Sequence, residues 1–137
     1  MSNPLPQTAV RRAFRNRLDD SLDIPILVQW QAEDDSHSPL VMIEPPESVP
    51  RGDLKQDTGH ELDVRVRVHT RYPKGRADVS QREAVAGDVH SALEGITISG
   101  HHLLHLPEPQ VTPQSYELGG RQAYDLLLDY SLLTQTL

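Results

Sequence analysis

Between Glu61 and His69 the chain alternates without a break, with Leu62, Val64, Val66 and Val68 on one side and Glu61, Asp63, Arg65, Arg67 and His69 on the other. A period of two sends successive side chains to opposite faces of a pleated strand, so this strand buries one face and wets the other. A strand covered on both faces would read as a continuous apolar run instead. The pattern therefore predicts an antiparallel sheet backed on one side by helices, an α+β class.

Flanking segments supply the helices. Val10, Ala13, Phe14, Leu18 and Leu22 recur at helical spacing over Thr8–Leu22, with Arg11, Arg12, Arg15 and Asn16 mostly on the other face, and Asp23 and Pro25 end the run. A second helix begins at Ser80, which with Glu83 makes an S-x-x-E capping box, and runs to about Glu94 with Val85, Val89, Ala92 and Leu93 on one stripe. Gly95 is its C-terminal cap.

Further strands follow from alternation and turn chemistry. Ile26, Val28 and Trp30 alternate with Leu27 and Gln29; after an acidic turn over Glu33–Ser38, Pro39–Ile43 reads as a second strand, and the two together predict a hairpin. Tyr72-Pro73-Lys74-Gly75 is a turn. Residues 96–106 and 111–118 read as strands that Pro107, Pro109 and Pro113 confine to an edge or an irregular connection, because each proline removes a ladder donor. Gly119-Gly120 signals a hairpin into a last strand, Arg121–Leu133, with Ala123, Leu127 and Leu133 among its apolar positions. The expectation is one domain over 1–137: an antiparallel sheet of about four to six strands with two main helices packed on one face. No repeat of 20–50 residues interrupts it. The Pro-rich stretch 44–59 is a long loop, read as a contact arm.

Composition limits what this fold can do. In 137 residues only 36% are hydrophobic, and the aromatics are Phe14, Trp30, Tyr72, Tyr116, Tyr124 and Tyr130. A thin aliphatic core makes stabilisation by neighbouring subunits attractive. With no cysteine, disulfides and thiolate metal sites are excluded. A net charge of −7 opposes a duplex-binding role driven by phosphate neutralisation. No window approaches the roughly 18 consecutive apolar residues of a membrane span, so a soluble, unsecreted protein without a membrane partner is expected.

Catalytic and metal chemistry finds little to work with. His101, His102 and His105 form the densest of seven histidines, but in a strand residues four apart lie about 13 Å from each other, so they read as solvated or core-edge side chains. His37, His60, His69 and His90 are scattered, with His69 and His90 read as surface residues. The acids Asp19/Asp20 and Glu33-Asp34-Asp35 match no calcium loop. There is no Gly-rich phosphate loop, no G-x-S-x-G elbow and no thiol nucleophile. The expectation is a protein that is not an enzyme and needs no cofactor or metal. The candidate binding residues are Arg11, Arg12, Arg15 and Arg17 on the first helix, and Arg65 and Arg67 on the wet face of the central strand. Their guanidinium groups suit bidentate pairing with a neighbour's acids. Glu47, Arg51 and Asp53 in the Pro-rich arm are further subunit-contact candidates.

The element order over Thr8–Thr134 resembles the small tail-terminator (tail-completion, tail-to-head joining) proteins of long-tailed phages and related gene transfer agents. The residues that carry the likeness are the P-hydrophobic-V-x-I strand at Pro39–Ile43, the H-x-L-x-V-x-V strand at His60–Val66 and the helix Ala84–Leu93, followed by Gly95. The acidic turn and the prolines after Leu106 depart from the pattern. The resemblance implies an α+β virion subunit, made in the host cytoplasm, of which six copies form a ring on the head-proximal end of the tail tube. Its implied partners are further copies of itself, the major tail tube protein and the head-tail connector or head-completion protein, with DNA only as cargo passing through the lumen. Other head-tail connector or tube subunits, and a small hydrolase or His-dependent metal-binding domain, are the rival classes.

Overall fold

The computed structural model describes residues 5–28, 38–50, 59–73 and 75–136. Two long antiparallel strands, β4 (Gly59–Tyr72) and β7 (Arg121–Thr136), form the spine of the sheet, paired from Gly59↔Gln135 to Tyr72↔Gln122. β2 (Leu40–Ile43) and then β3 (Glu47–Pro50) follow one another along the outer edge of β4. Along the far edge of β7 lie β6 (Gln110–Leu118) and β5 (His101–His105). With β1 (Ile26–Leu27) beside β2, the path across the sheet is β1-β2-β4-β7-β5. Each outer edge is therefore broken once, at Glu44-Pro45-Pro46 and at 106–109, where prolines lack the N–H that a continuous ladder requires.

The helices α1 (Pro6–Ser21) and α2 (Val79–Leu93) cover one face of this sheet, giving the α+β fold that the β4 alternation predicts. Val10, Phe14 and Leu18 of α1 and Val89 and Leu93 of α2 are fully buried against Leu62, Val64, Val66 and Val68 of β4 and Leu128, Tyr130 and Leu132 of β7. Each such side chain contributes about 1.5–3 kcal/mol relative to exposure. Phe14 meets Tyr130 edge-on, ring centroids 5.9 Å apart at 84°, the geometry that aromatic quadrupoles favour.

Helix ends explain two departures from the expected boundaries. Pro6 opens α1 at a position where its missing N–H costs nothing, two residues ahead of Thr8. α2 begins at Val79 with Asp78 as N-cap, so Ser80 lies inside the helix and the capping box with Glu83 does not form; Ser80 Oγ instead donates to Asp78 Oδ1 at 2.6 Å. At the other end Gly95 takes φ +73°, as a C-terminal cap should, and Arg17 of α1 donates to the terminal carbonyls of Ala92 and Glu94 at 2.6 and 2.7 Å. Arg17 thus ties α1 to α2.

The sheet corrects two expectations. β1 and β2 run parallel, Ile26↔Val41 and Leu27↔Met42, rather than as a hairpin, because alternation fixes which face a residue takes but not the direction of its neighbour. Gln29, Trp30 and the acidic residues Glu33-Asp34-Asp35 lie outside the described residues. The Pro-rich arm is not a loop from its start: after Pro45-Pro46 the backbone resumes pairing, and Glu47–Pro50 adds to β4. Arg51 and Asp53 lie outside the described residues. The Gly119-Gly120 hairpin is as expected, both glycines at positive φ (+57° and +77°), closing β6 onto β7 at Leu118↔Arg121. No helix among the described residues is long and apolar enough to cross a membrane.

Candidate functional site

Residues of odd number on β4 and β7 face away from the helices, and there the alternation is not simply wet. His69 and Asp125 sit directly opposite in register and are fully buried, joined by Nδ1 and Oδ1 at 2.7 Å. Tyr116 of β6 donates its hydroxyl to Asp125 Oδ2 at 2.8 Å, and Arg67 Nη1 reaches the same oxygen at 3.0 Å while donating to Gln114 Oε1 at 2.9 Å. Burial alone would raise the Asp125 carboxyl, yet the hydrogen bonds from His69 and Tyr116, the His69 electrostatics and the Arg67 hydrogen bond together hold it below its ordinary value. Tyr116 is pushed up to about 12 by burial and by its bond to that carboxylate. A histidine held by a carboxylate is a pairing that general bases use. Here both side chains are shut off from solvent, and the cluster instead clamps β4, β7 and β6 together.

Arg65 and Arg67, expected to offer their guanidinium groups to another subunit, find acids of their own chain. Arg65 bonds Asp129 through Nε at 2.7 Å and Nη2 at 3.3 Å and lies 3.6 Å from Glu44, which Arg67 also reaches at 3.3 Å. The physical reason is register: Arg65 faces Asp129 across the ladder, and Glu44 sits at the adjacent edge break. His69 is likewise corrected from surface to core. His90 is half-buried, with its ring stacked on Tyr130 at 6.1 Å and Nδ1 3.1 Å from the hydroxyl. His101 is buried at the start of β5, and no group of three or more His, Cys, Asp or Glu fit to hold a metal occurs among the described residues.

Between the two edge breaks the outer sheet face sinks into a trough of about 680 Å³. Its floor is β4 and β7; its walls come from 44–47 and 107–110. Among the described residues, Glu44, Glu47, Asp63, Glu108 and Asp129 line it against a single cation, Arg65. Glu44 and Asp129 are paired with arginine, but Glu47 and Asp63 face each other directly in the β3–β4 ladder, an unfavourable like-charge juxtaposition. Glu108 also helps burial raise the Tyr130 hydroxyl.

On the opposite side of the molecule, Arg11, Arg12 and Arg15 line one groove of about 470 Å³ along α1. Arg15 makes only a loose, half-exposed contact with Asp19 at 3.7 Å. Of the expected contact residues, then, the structure gathers Arg11, Arg12 and Arg15 on one surface and Glu47 on another, and ties Arg65 and Arg67 inward. Sequence reading missed Glu44, Asp63, Glu108, Tyr116, Asp125 and Asp129. The available signal was the pair of acids flanking Leu126-Leu127-Leu128, which share a parity and so face the basic side of β4.

β6 is the most exposed element. Val111 is 52% exposed, the rest of the strand is exposed except for Tyr116 and Leu118, and among the described residues it pairs with β7 alone. No protein-family model matches the chain, and no curated protein matches it.

Proposed function

We propose that this chain is a structural subunit rather than an enzyme, one that caps the head-proximal end of a long phage-like tail tube as a ring, ends tube polymerisation and offers the surface on which the head is joined. The observation that carries the reading is β6: a nine-residue edge strand with one unpaired side among the described residues and every residue but Tyr116 and Leu118 exposed. Such an edge is a template for another chain, and an isolated protein normally blunts it. Pro113 alone interrupts it here. The two-helix, one-sheet layering is the architecture that the tail-terminator resemblance implies. Among the described residues the His69–Asp125–Tyr116 cluster joins residue types of acid–base chemistry, and its His69 and Asp125 are fully buried. The partners in this reading are further copies of the chain, six to a ring by the resemblance, the major tail tube protein and the head-tail connector. An overall charge of −7 suits a ring through which DNA passes without adhering.

Deleting the gene and measuring tails by electron microscopy tests this. The expected result is tails of abnormal length that fail to join heads. Tails of normal length joined normally would overturn it, and long tubes from the purified protein would assign it to the tube instead.

A further inference from the structure

The acidic trough and the arginine face of α1 lie on opposite sides of one chain, separated by the sheet and the helix layer, so neither can satisfy the other within a molecule. Among the described residues both are left with charges unmatched. Glu47 and Asp63 stand opposed in register and, like Glu108, form no ion pair among the described residues. Arg11 and Arg12 form none either, and Arg15 is held only loosely by Asp19. We propose that α1 of one copy docks through Arg11, Arg12 and Arg15 into the acidic trough of the next. This deepens the ring reading and rests on it.

Shape and chemistry agree with the charge. Arg11 and Arg15 are one helical turn apart, about 6 Å, and Arg12 is beside them, so three guanidinium groups project from a short stretch of helix. The trough is open to solvent along β4 and β7. A guanidinium entering between Glu47 and Asp63 would relieve their mutual repulsion while bonding both, the fork geometry that arginine offers and lysine does not. Because the two surfaces differ, the contact is heterologous: every copy presents one of each, and a constant rotation between neighbours closes the series into a ring.

Complementation by mixing tests the contact on the full chain. One variant carries Arg11→Glu and Arg12→Glu, the other Glu47→Lys and Asp63→Lys, with sedimentation velocity at low salt as the readout and circular dichroism confirming that each is folded. Each variant alone presents like charges on both surfaces and is expected to associate at least ~100-fold more weakly than the unmodified chain. Mixed one to one, they restore both contacts and assembly returns. The milder pair Arg11→Gln/Arg12→Gln and Glu47→Gln/Asp63→Asn shows the same loss when each is alone and, on mixing, recovers the one contact whose two surfaces are unaltered, giving pairs but no closed ring; it stands in where a reversed variant does not fold. Assembly of either variant as strong as that of the unmodified chain, or a reversed-charge mixture that stays monomeric, overturns this contact and leaves the ring reading standing. An unmodified chain that stays monomeric throughout removes both.

Discussion

Asp125 and Asp129 lie four residues apart on the same face of β7, and each holds an arginine of β4, yet their removal should differ severalfold in effect. Asp125 is fully buried and accepts from His69, Tyr116 and Arg67. Asp125→Ala leaves those donors without their acceptor in a water-poor site, and breaking a buried ionic pair in this way costs about 3–5 kcal/mol. Set against a total stability of roughly 5–15 kcal/mol, that is a large share. For a chain of this length it lowers Tm by about 10–20 °C. Asp129 and Arg65 keep about a third or more of their side chains in solvent, 34% and 43%, so screening holds Asp129→Ala to about 0–1 kcal/mol, under ~5 °C. Differential scanning calorimetry of both variants at pH 7 measures the contrast. Equal shifts, or a larger one for Asp129→Ala, would refute the argument that burial rather than pairing sets the energy.

The same carboxylate sets an acid response. Its folded pKa is lowered, so its stabilisation is fully present above the ordinary value of 3.8 and is lost as pH falls below it toward the folded value; the Tm gap between the unmodified chain and Asp125→Ala should narrow below pH 4 and stay constant from pH 5 to 7. Tyr116 should titrate near 12 in an ultraviolet difference spectrum, a component missing from Tyr116→Phe; because this pKa is raised, its stabilising contribution is present below pH 10 and lost as pH rises through 12. Gly120→Ala forces a side chain into φ +77° and should cost about 1–2 kcal/mol by urea denaturation, whereas Gly87→Ala in α2, with open space around it, should add about 0.5–1 kcal/mol.

Local chemistry made much of this fold legible from the sequence. The β4 alternation, the Gly119-Gly120 turn and the Gly95 cap each state a backbone requirement within a few residues, and each is met. Relations between distant segments were not legible. Nothing near Ile26 announces that its partner runs parallel, and nothing in Pro45-Pro46 says that pairing resumes at Glu47. The S-x-x-E signal at Ser80 lost because the helix starts at Val79 with Asp78 in the N-cap position, two residues earlier, where its carboxylate takes up the Ser80 hydroxyl. His69 shows why the functional face was harder still: alternation assigns it correctly to the side away from the helices, but its burial depends on Tyr116, 47 residues later, folding back with β6 over that face.

Native mass spectrometry of the purified chain tests the central claim most directly, since a ring-forming subunit must add copies to a closed number. The expected result is a single dominant closed species of six copies at low salt, falling apart as ionic strength screens the contacts between subunits. A monomer at every concentration and salt, or an open ladder of masses without a preferred size, would contradict the account.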